Sequence, residues 1–337
     1  MLAQLFPFYL LGAIYDLSAW YRAFFIGRAP SSSRMPLSSM RHEASFLLPF
    51  KRSSPQPKSI CSKVSLSISS RDTLKKMLPR LHLFEIHDQP WCPAVIRDAL
   101  TDYLAHQERN LRIYKPVLPM ILEVAATRSI TQVVDLCSGG GGPWIDWLLA
   151  GVSQPIQSVI LTDKFPNIDT TNKSISAGLT YSSESVDATE VPSQLLGFRT
   201  LFTSFHHFKQ DAARSILRDA CQNGQPIGVF EFTHRTIPAL LLMLAAIVPV
   251  WIAVAQMRPV KFSRIFLTYL VPVIPFVVTF DGFVSCLRTY SPSELLTMVN
   301  GAEFAGFEWK ARIKKGSTFG FPITYLIGFQ PTKQTGS

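Results

Sequence analysis

Charge is scarce in this chain. Only 17% of its 337 residues are Asp, Glu, Lys or Arg, against 47% apolar ones, and the mean hydropathy is +0.19. That balance is unusual for a soluble enzyme and argues for contact with a membrane. Acids are scarcer than bases: 23 Asp and Glu face 33 Lys and Arg, a formal net charge of +10. Nucleic acid, an anionic lipid surface or a basic leader would each suit such a balance. An arginine-rich aromatic RNA-binding motif is absent, so nucleic acid is not an expected partner. Cysteines are few and scattered, at 61, 92, 137, 221 and 286, with no C-x-x-C pair. This argues against a zinc site or a disulfide framework, and no metal is expected. A phosphate loop is missing too, because no glycine run ends in Lys-Ser or Lys-Thr.

Composition divides the N-terminal part. Residues 1–27 are apolar and aromatic, interrupted by Asp16 and Arg22. Without a basic n-region or a small-residue cleavage site they fit an anchor, interfacial helix or leader better than a secretory signal. Residues 28–73 are rich in Ser, Pro, Lys and Arg, with Glu43 the lone acid before Asp72. They read as a basic linker or an organelle transit segment. Order is expected from Leu74, and residues 74–130 read as a helical cap. Phe84–Trp91 is an aromatic loop, and Pro93–His106 has helical spacing with Ile96, Leu100, Tyr103 and Leu104 on one face. A second helix is expected over Tyr114–Thr127, with Trp91 and Tyr114 as candidates for a pocket wall.

What is present is concentrated at Thr131–Trp147, TQVVDLCSGGGGPWIDW. A short apolar strand ends in Asp135. A run of small residues follows, then Pro143, whose fixed φ suits a helix start. Strand, glycine turn and helix make a nucleotide-type cofactor site, because glycine lets a ligand reach the backbone and a helix start offers unpaired N–H groups. The dinucleotide pattern G-x-G-x-x-G/A would put its third small residue at Trp144 or Ile145, which are too large. A nicotinamide enzyme is therefore disfavoured.

The remaining pattern, D-L-x-x-G-x-G over Asp135, Leu136, Gly139 and Gly141, resembles the first motif of the class I S-adenosylmethionine-dependent methyltransferases. Further matches follow in order. Ser158–Asp163 is an apolar strand ending in an acid. Val186, Asp187 and Ala188 stand where the family places an acid or amide near adenine. Leu201–Phe208 resembles the fourth strand and its turn, and Ile227–Phe232 the fifth. The resemblance implies an α/β, Rossmann-like sheet of seven strands, the last antiparallel, and S-adenosyl-L-methionine as cofactor. It implies cofactor contacts at Asp135, Ser138, Gly139, Gly141, Asp163, Phe165, Asp187, Ala188 and Ser204, with Asp163 on the ribose and Phe165 on the adenine. Cys137 reads as a small filler. The stretch 164–198 reads as a long loop of exposed turns.

An acceptor oxygen of high pKa needs a general base as well as the activated methyl group. Candidates at the ends of the fourth and fifth strands are His206, His207, Glu231 and His234. His206 and His207 are the best placed, and at most one of them acts as base. Arg288 and Tyr290 are candidates for orienting a substrate, or for contact with solvent or lipid head groups.

Residues 237–280 interrupt the α/β region 131–236. Ile237–Gln256 is apolar throughout and Ile265–Phe280 nearly so, separated by a loop bearing Arg258, Lys261 and Arg264. Pro249, Pro272 and Pro275 break the helical pattern, and the basic loop opposes a crossing under the positive-inside tendency. An interfacial or re-entrant hairpin with the basic loop at lipid head groups is therefore favoured over a two-span hairpin or a buried lid. Residues 281–330 complete the sheet. A capping box at Ser291–Glu294 starts a helix that Gly301 ends. Two strands, Phe307–Arg312 and Ile323–Phe329, follow around a turn at Lys315–Gly316. The expected function is methylation of a lipophilic small molecule or lipid at a membrane. The alternative is a non-catalytic membrane-bound scaffold or assembly factor with the same fold.

Overall fold

The computed structural model describes residues 77–166, 178–315 and 322–331. The segments 1–27 and 28–73, the expected start at Leu74, and Gly316 lie outside those residues. Helix α1, Ala94–Leu111, starts after Pro93 and ends at Arg112, which adopts the left-handed conformation at φ 48°. Its buried face carries Ala99, Leu100 and Tyr103. Leu104, expected on that face, is exposed instead. A 3₁₀ turn, Lys115–Val117, leads into α2, Leu118–Thr127.

The sheet follows from short apolar runs. A strand with helices on both faces reads as a continuous apolar stretch rather than an alternation. β1 (Gln132–Asp135), β2 (Ser158–Asp163), β4 (Phe198–Phe202) and β5 (Ile227–Glu231) are such runs. Between β1 and β2 lies the short helix α3, Trp144–Leu149, capped by Pro143, and between β4 and β5 lies α4, Gln210–Gln222. The expected loop 164–198 contains a strand, β3, Leu179–Ser185. β3 forms the edge of the sheet. Only its Leu179 and Tyr181 are buried, so its serines satisfy an edge position without an apolar signature.

After β5 come α5 (Ile237–Ala245), α6 (Ile247–Gln256), α7 (Phe262–Ile265, continued by a π turn to Leu270) and α8 (Val273–Arg288). The capping box at Ser291 forms as expected, with the Glu294 side chain returning to the Ser291 N–H, and opens α9, Pro292–Met298. β6 (Glu308–Lys314) and β7 (Ile323–Phe329) close the chain.

The strand order is β3-β2-β1-β4-β5-β7-β6. Neighbours from β3 to β5 run parallel, while β7 is antiparallel to both β5 and β6. This is the seven-stranded, mostly parallel α/β sheet with an antiparallel last strand that the resemblance implies. One face of the sheet packs on α2 and α3 through Ile121, Val124, Trp144 and Phe230. The other packs on α4 and α9 through Ile216, Leu217, Val229 and Leu295.

The apolar insertion is not a pair of straight spans. Among the described residues no single helix is long and apolar enough to cross a membrane. Two bent pairs meet that test together: α5 with α6, bent by 48°, and Phe262–Leu270 with α8, bent by 80°. Val250, Ala253, Val254 and Ile274 of this insertion pack on Ala99 and Tyr103 of α1. The basic loop is also tied to α1. Asp102 accepts from Lys261 Nζ at 2.7 Å and from Arg264 Nη1 at 2.9 Å. Arg264 is buried and further held by the Met257 and Pro259 carbonyls, so it does not face head groups.

Candidate active site

The parallel strands bring the C-terminal ends of β1 to β5 to one edge, where ligands of open α/β sheets bind. At the end of β1, Asp135 is buried and shapes the glycine turn. Its carboxylate accepts from Ser138 Oγ at 2.7 Å and Thr200 Oγ1 at 2.5 Å, and Trp144 Nε1 donates to the same threonine oxygen at 3.0 Å. Trp144, too large for a dinucleotide turn, is thus a buried brace beneath the loop. Burial raises the Asp135 carboxyl to about 7, against the pull of its hydroxyl partners. Ser138 also accepts the Thr162 N–H through Oγ, so its side chain joins the first two strand ends rather than pointing outward.

Gly139 has φ +47°, and a Cβ there would meet open space. The loop leaves room for a ligand at that point. Gly141 is bound by the protein itself: with φ +101°, a Cβ would come within 2.4 Å of Ile145. Asp163, at the end of β2, accepts the Gly139 N–H at 3.0 Å and the Phe165 N–H at 2.9 Å. Tyr181 Oη donates to the Gly139 carbonyl at 3.0 Å. The loop is therefore held from both sides. Each Asp163 oxygen keeps a lone pair for a hydroxyl.

Phe165 is 82% exposed. Asp187 accepts from Lys164 Nζ at 2.7 Å and from the Thr189 N–H and hydroxyl, and the lysine contact first of all lowers it to about 2. Ala188 is buried beside it. Cys137 lies in the same loop at φ 55°. Burial, with the charges of Asp163, Asp135 and Asp187, pushes its thiol up, so it remains a protonated filler. These residues fit the cofactor that the motifs imply: a braced glycine turn with open space, a carboxylate beside it and an exposed aromatic ring.

The β4 and β5 ends carry the other half. Thr203 turns the chain at φ 44°, and its hydroxyl is hydrogen-bonded to Tyr114 Oη. Tyr114 is buried and packs edge-on against Phe202. Buried Ser204 then leads into the 3₁₀ turn Phe205–His207. Glu231, at the end of β5, holds that turn. Its Oε1 accepts the Phe205 and His206 N–H groups at 2.7 and 3.2 Å, and its Oε2 lies 2.7 Å from His206 Nδ1. His206 is 1% exposed, and its Nε2 has no hydrogen-bond partner. His207 turns toward Asp88, with Nδ1 at 3.0 Å from Oδ2. Its pKa is raised by Asp88 and Glu85 against the opposing effect of burial. The two adjacent rings remain neighbours, centroids 4.3 Å apart. His234 is set apart, its Nε2 on the Pro322 carbonyl at 2.8 Å.

The structure adds residues that sequence reasoning missed. Glu85 and Asp88 sit in the segment read as an aromatic loop. Asp281, in α8, accepts the Ile86 and His87 N–H groups at 2.7 and 3.1 Å and thereby folds that segment over the His206 turn. Arg288 is buried in the same network, with Nη1 3.0 Å from Glu85 Oε1 and 3.1 Å from Asp88 Oδ2. It is therefore not a head-group contact. Tyr290 donates to the Phe208 carbonyl at 2.8 Å. Glu108 of α1 buries its Oε1 without a partner, and burial, with Asp135 and Asp146, raises it to about 8. The available signals were acids beside histidine at 85–88 and a lone acid in an apolar helix at 281.

No protein-family model and no curated protein matches the chain. Several solved structures resemble it distantly. The methyltransferase domain of bacterial CtHen1 matches at 12% identity and TM-score 0.39, over 64% of this chain and 98% of its own. The pyocyanin biosynthetic protein PhzM matches at 15% identity and TM-score 0.42, over 74% of this chain and 62% of PhzM. A protein described as a Zn-dependent alcohol dehydrogenase from Rhodobacter sphaeroides matches at 10% identity and TM-score 0.40, over 69% of this chain and 98% of its own. These likenesses are too distant to carry function. The fold rests on the strand order, and the chemistry on the residues at the sheet edge.

Proposed function

We propose that a chain with this fold is an S-adenosylmethionine-dependent methyltransferase. The observation that carries the reading is the junction of the β1 and β2 ends. There the Gly139 N–H meets the Asp163 carboxylate, beside open space and the exposed Phe165 ring. When bound, S-adenosylmethionine supplies an activated methyl group on a sulfonium. The Gly139 turn receives its methionine part, Asp163 the ribose hydroxyls and Phe165 the adenine. The protein's own work is to align the acceptor, exclude water and hold the acceptor's proton. His206 is suited to that last step. Glu231 fixes its Nδ1 side, which leaves Nε2 as the atom to take a proton from a hydroxyl or an acidic carbon.

We further propose that the acceptor is lipophilic and reached at a membrane surface. The support is the outer face of the insertion, where Leu241, Val248, Phe262, Leu270 and Phe276 are exposed together with Ile237. Exposed large apolar side chains concentrated in one segment suit an interaction site. Bent helices laid in an interface suit it better than spans.

The test is calorimetric titration of S-adenosylhomocysteine into the purified full chain. Saturable binding that Asp163→Ala weakens supports the reading. A folded chain that does not bind points to the scaffold alternative. Flotation with anionic vesicles tests the surface, and a chain that stays unbound removes the membrane half of the proposal.

A further inference from the structure

We infer that Glu85, His87, Asp88 and His207 form a site for one divalent transition-metal ion, of the zinc or manganese kind, on the acceptor side of the sheet edge. One ligand atom from each residue can be chosen so that all lie within 4.8 Å of one another. Individual contacts between these side chains, made through either Asp88 oxygen, are short. His207 Nδ1 is 3.0 Å from Asp88 Oδ2 and 3.4 Å from Glu85 Oε2, and His87 Nε2 is 3.4 Å from Asp88 Oδ1. Ligand atoms about 2.1 Å from a tetrahedral ion stand roughly 3.4 Å apart. Two imidazoles with two carboxylates suit first-row dications better than calcium or magnesium, which take oxygen ligands.

Two further observations point to a ligand. Glu85 is 0% exposed, and its Oε2, the oxygen facing His207, has no hydrogen-bond partner. An unpaired carboxylate oxygen in the interior is costly unless a cation meets it. The second observation is the orientation of His87. Asp281 Oδ2 lies 2.9 Å from its Nδ1, which leaves Nε2 directed at Asp88. Metal-bound histidines characteristically give their other ring N–H to a carboxylate in this way. Charge agrees. Among the described residues four carboxylates, of Glu85, Asp88, Asp281 and Glu231, gather here, and Arg288 pairs with Glu85 through Oε1 and with Asp88, while Glu85 Oε2 faces the imidazoles of His207 at 3.4 Å and His87 at 3.7 Å.

His207 and Asp88 are partly open to solvent, whereas Glu85 closes the inner side. Four protein ligands fill a tetrahedral ion; one that expands to five coordinates would open a position for an oxygen of the methyl acceptor, next to His206. Metal binding stands on these side chains alone. The assignment of that open position to an acceptor rests on the methyltransferase reading. The expectation of no metal, drawn from the cysteines, did not reach a histidine and carboxylate site.

The experiment uses the purified full chain, stripped with chelator and titrated calorimetrically with Zn²⁺ and with Mn²⁺. One ion per chain is expected for at least one of them. Binding should be at least tenfold weaker in His207→Ala and in Asp88→Asn, and unchanged in His106→Ala, a histidine on α1 outside the cluster. Absence of saturable binding, or binding equal in all variants, overturns the site. Should a variant misfold, the Co²⁺-loaded wild type decides: visible absorption bands of a low-coordinate histidine-bound ion support the site, and the spectrum of the hydrated ion overturns it. S-Adenosylhomocysteine binding is measured in the same samples. A chain that binds it but no metal loses only this site, and a chain that binds metal but not the nucleoside loses only the methyltransferase reading.

Discussion

The two halves of the ligand edge are built differently. On the β1–β3 side every key polar group is partnered within a short stretch or across neighbouring strands: Asp135 by Ser138 and Thr200, Asp163 by the Gly139 and Phe165 N–H groups, Asp187 by Lys164 and Thr189. On the β4–β5 side, segments some two hundred residues apart converge, as Ser285 and Arg288 do on Glu85. That side also leaves Glu85 Oε2 and His206 Nε2 without a hydrogen-bond partner, their nearest titratable neighbours being His207 Nδ1 at 3.4 Å and Glu85 Oε1 at 3.7 Å. A self-satisfied site is preorganised for one ligand. A site with unpaired buried atoms is incomplete without a ligand, and its groups are free to do chemistry.

The largest expected effect lies on the unpaired side. His206→Ala should lower methyl transfer from labelled S-adenosylmethionine by roughly 10²–10⁴, the usual worth of a general base, with S-adenosylhomocysteine affinity unchanged. Glu231→Gln should act in the same direction, because it weakens the orientation of Nδ1. Equal loss of affinity and rate would erase the difference between the halves. Next comes the paired side. Asp163→Ala removes an acceptor for the ribose and a brace of the glycine turn, so affinity should fall roughly 10- to 100-fold, from a charged hydrogen bond worth about 1.5–3 kcal/mol. Unchanged affinity would place the ribose elsewhere.

The same contrast explains what could be read in advance. Motifs on the β1–β3 side are local. Asp135 to Gly141 and Ser158 to Asp163 each carry strand, turn and acid within a few residues, and both formed where expected. β3 escaped because an edge strand needs little apolar signature. The acceptor side escaped for a different reason. Nothing near Glu85 in sequence announces Asp281 or His207; the fold alone makes them neighbours. The insertion was read correctly as apolar and broken by proline. Its contacts to α1 were invisible, because Asp102 gives no sign that it will pair with Lys261 and Arg264.

A smaller effect concerns the surface of the insertion. Phe262→Asp with Leu270→Asp replaces two well-exposed apolar side chains that make little core contact. Vesicle flotation should fall several-fold, since each apolar side chain withdrawn from the interface costs about 1.5–3 kcal/mol at most. Nucleoside affinity should not change. Unaltered flotation would mean that the exposed apolar side chains of the insertion do not carry the membrane contact.

The smallest effect returns to the glycine turn and concerns protons. Burial raises Asp135 to about 7 and Glu108 to about 8, well above unfolded carboxyls near 4. In the folded chain both keep protons that the unfolded chain has already released. Their contribution to stability is therefore complete below about pH 4 and is lost as the pH rises through 7 and then 8. Between about pH 6.5 and 8.5 the melting temperature should fall. Raised His207 adds to the same slope, whereas the carboxylates lowered by their partners, Asp88 and Glu231, titrate below this window. Glu108→Gln mimics the protonated form. It should flatten the slope and raise the melting temperature throughout this window, most at the alkaline end, with the two proteins converging only below about pH 4. A slope as steep as that of the wild type would assign the proton to the histidine side. The pH response would then belong to the half of the edge that is left unpaired, not to the half that is braced.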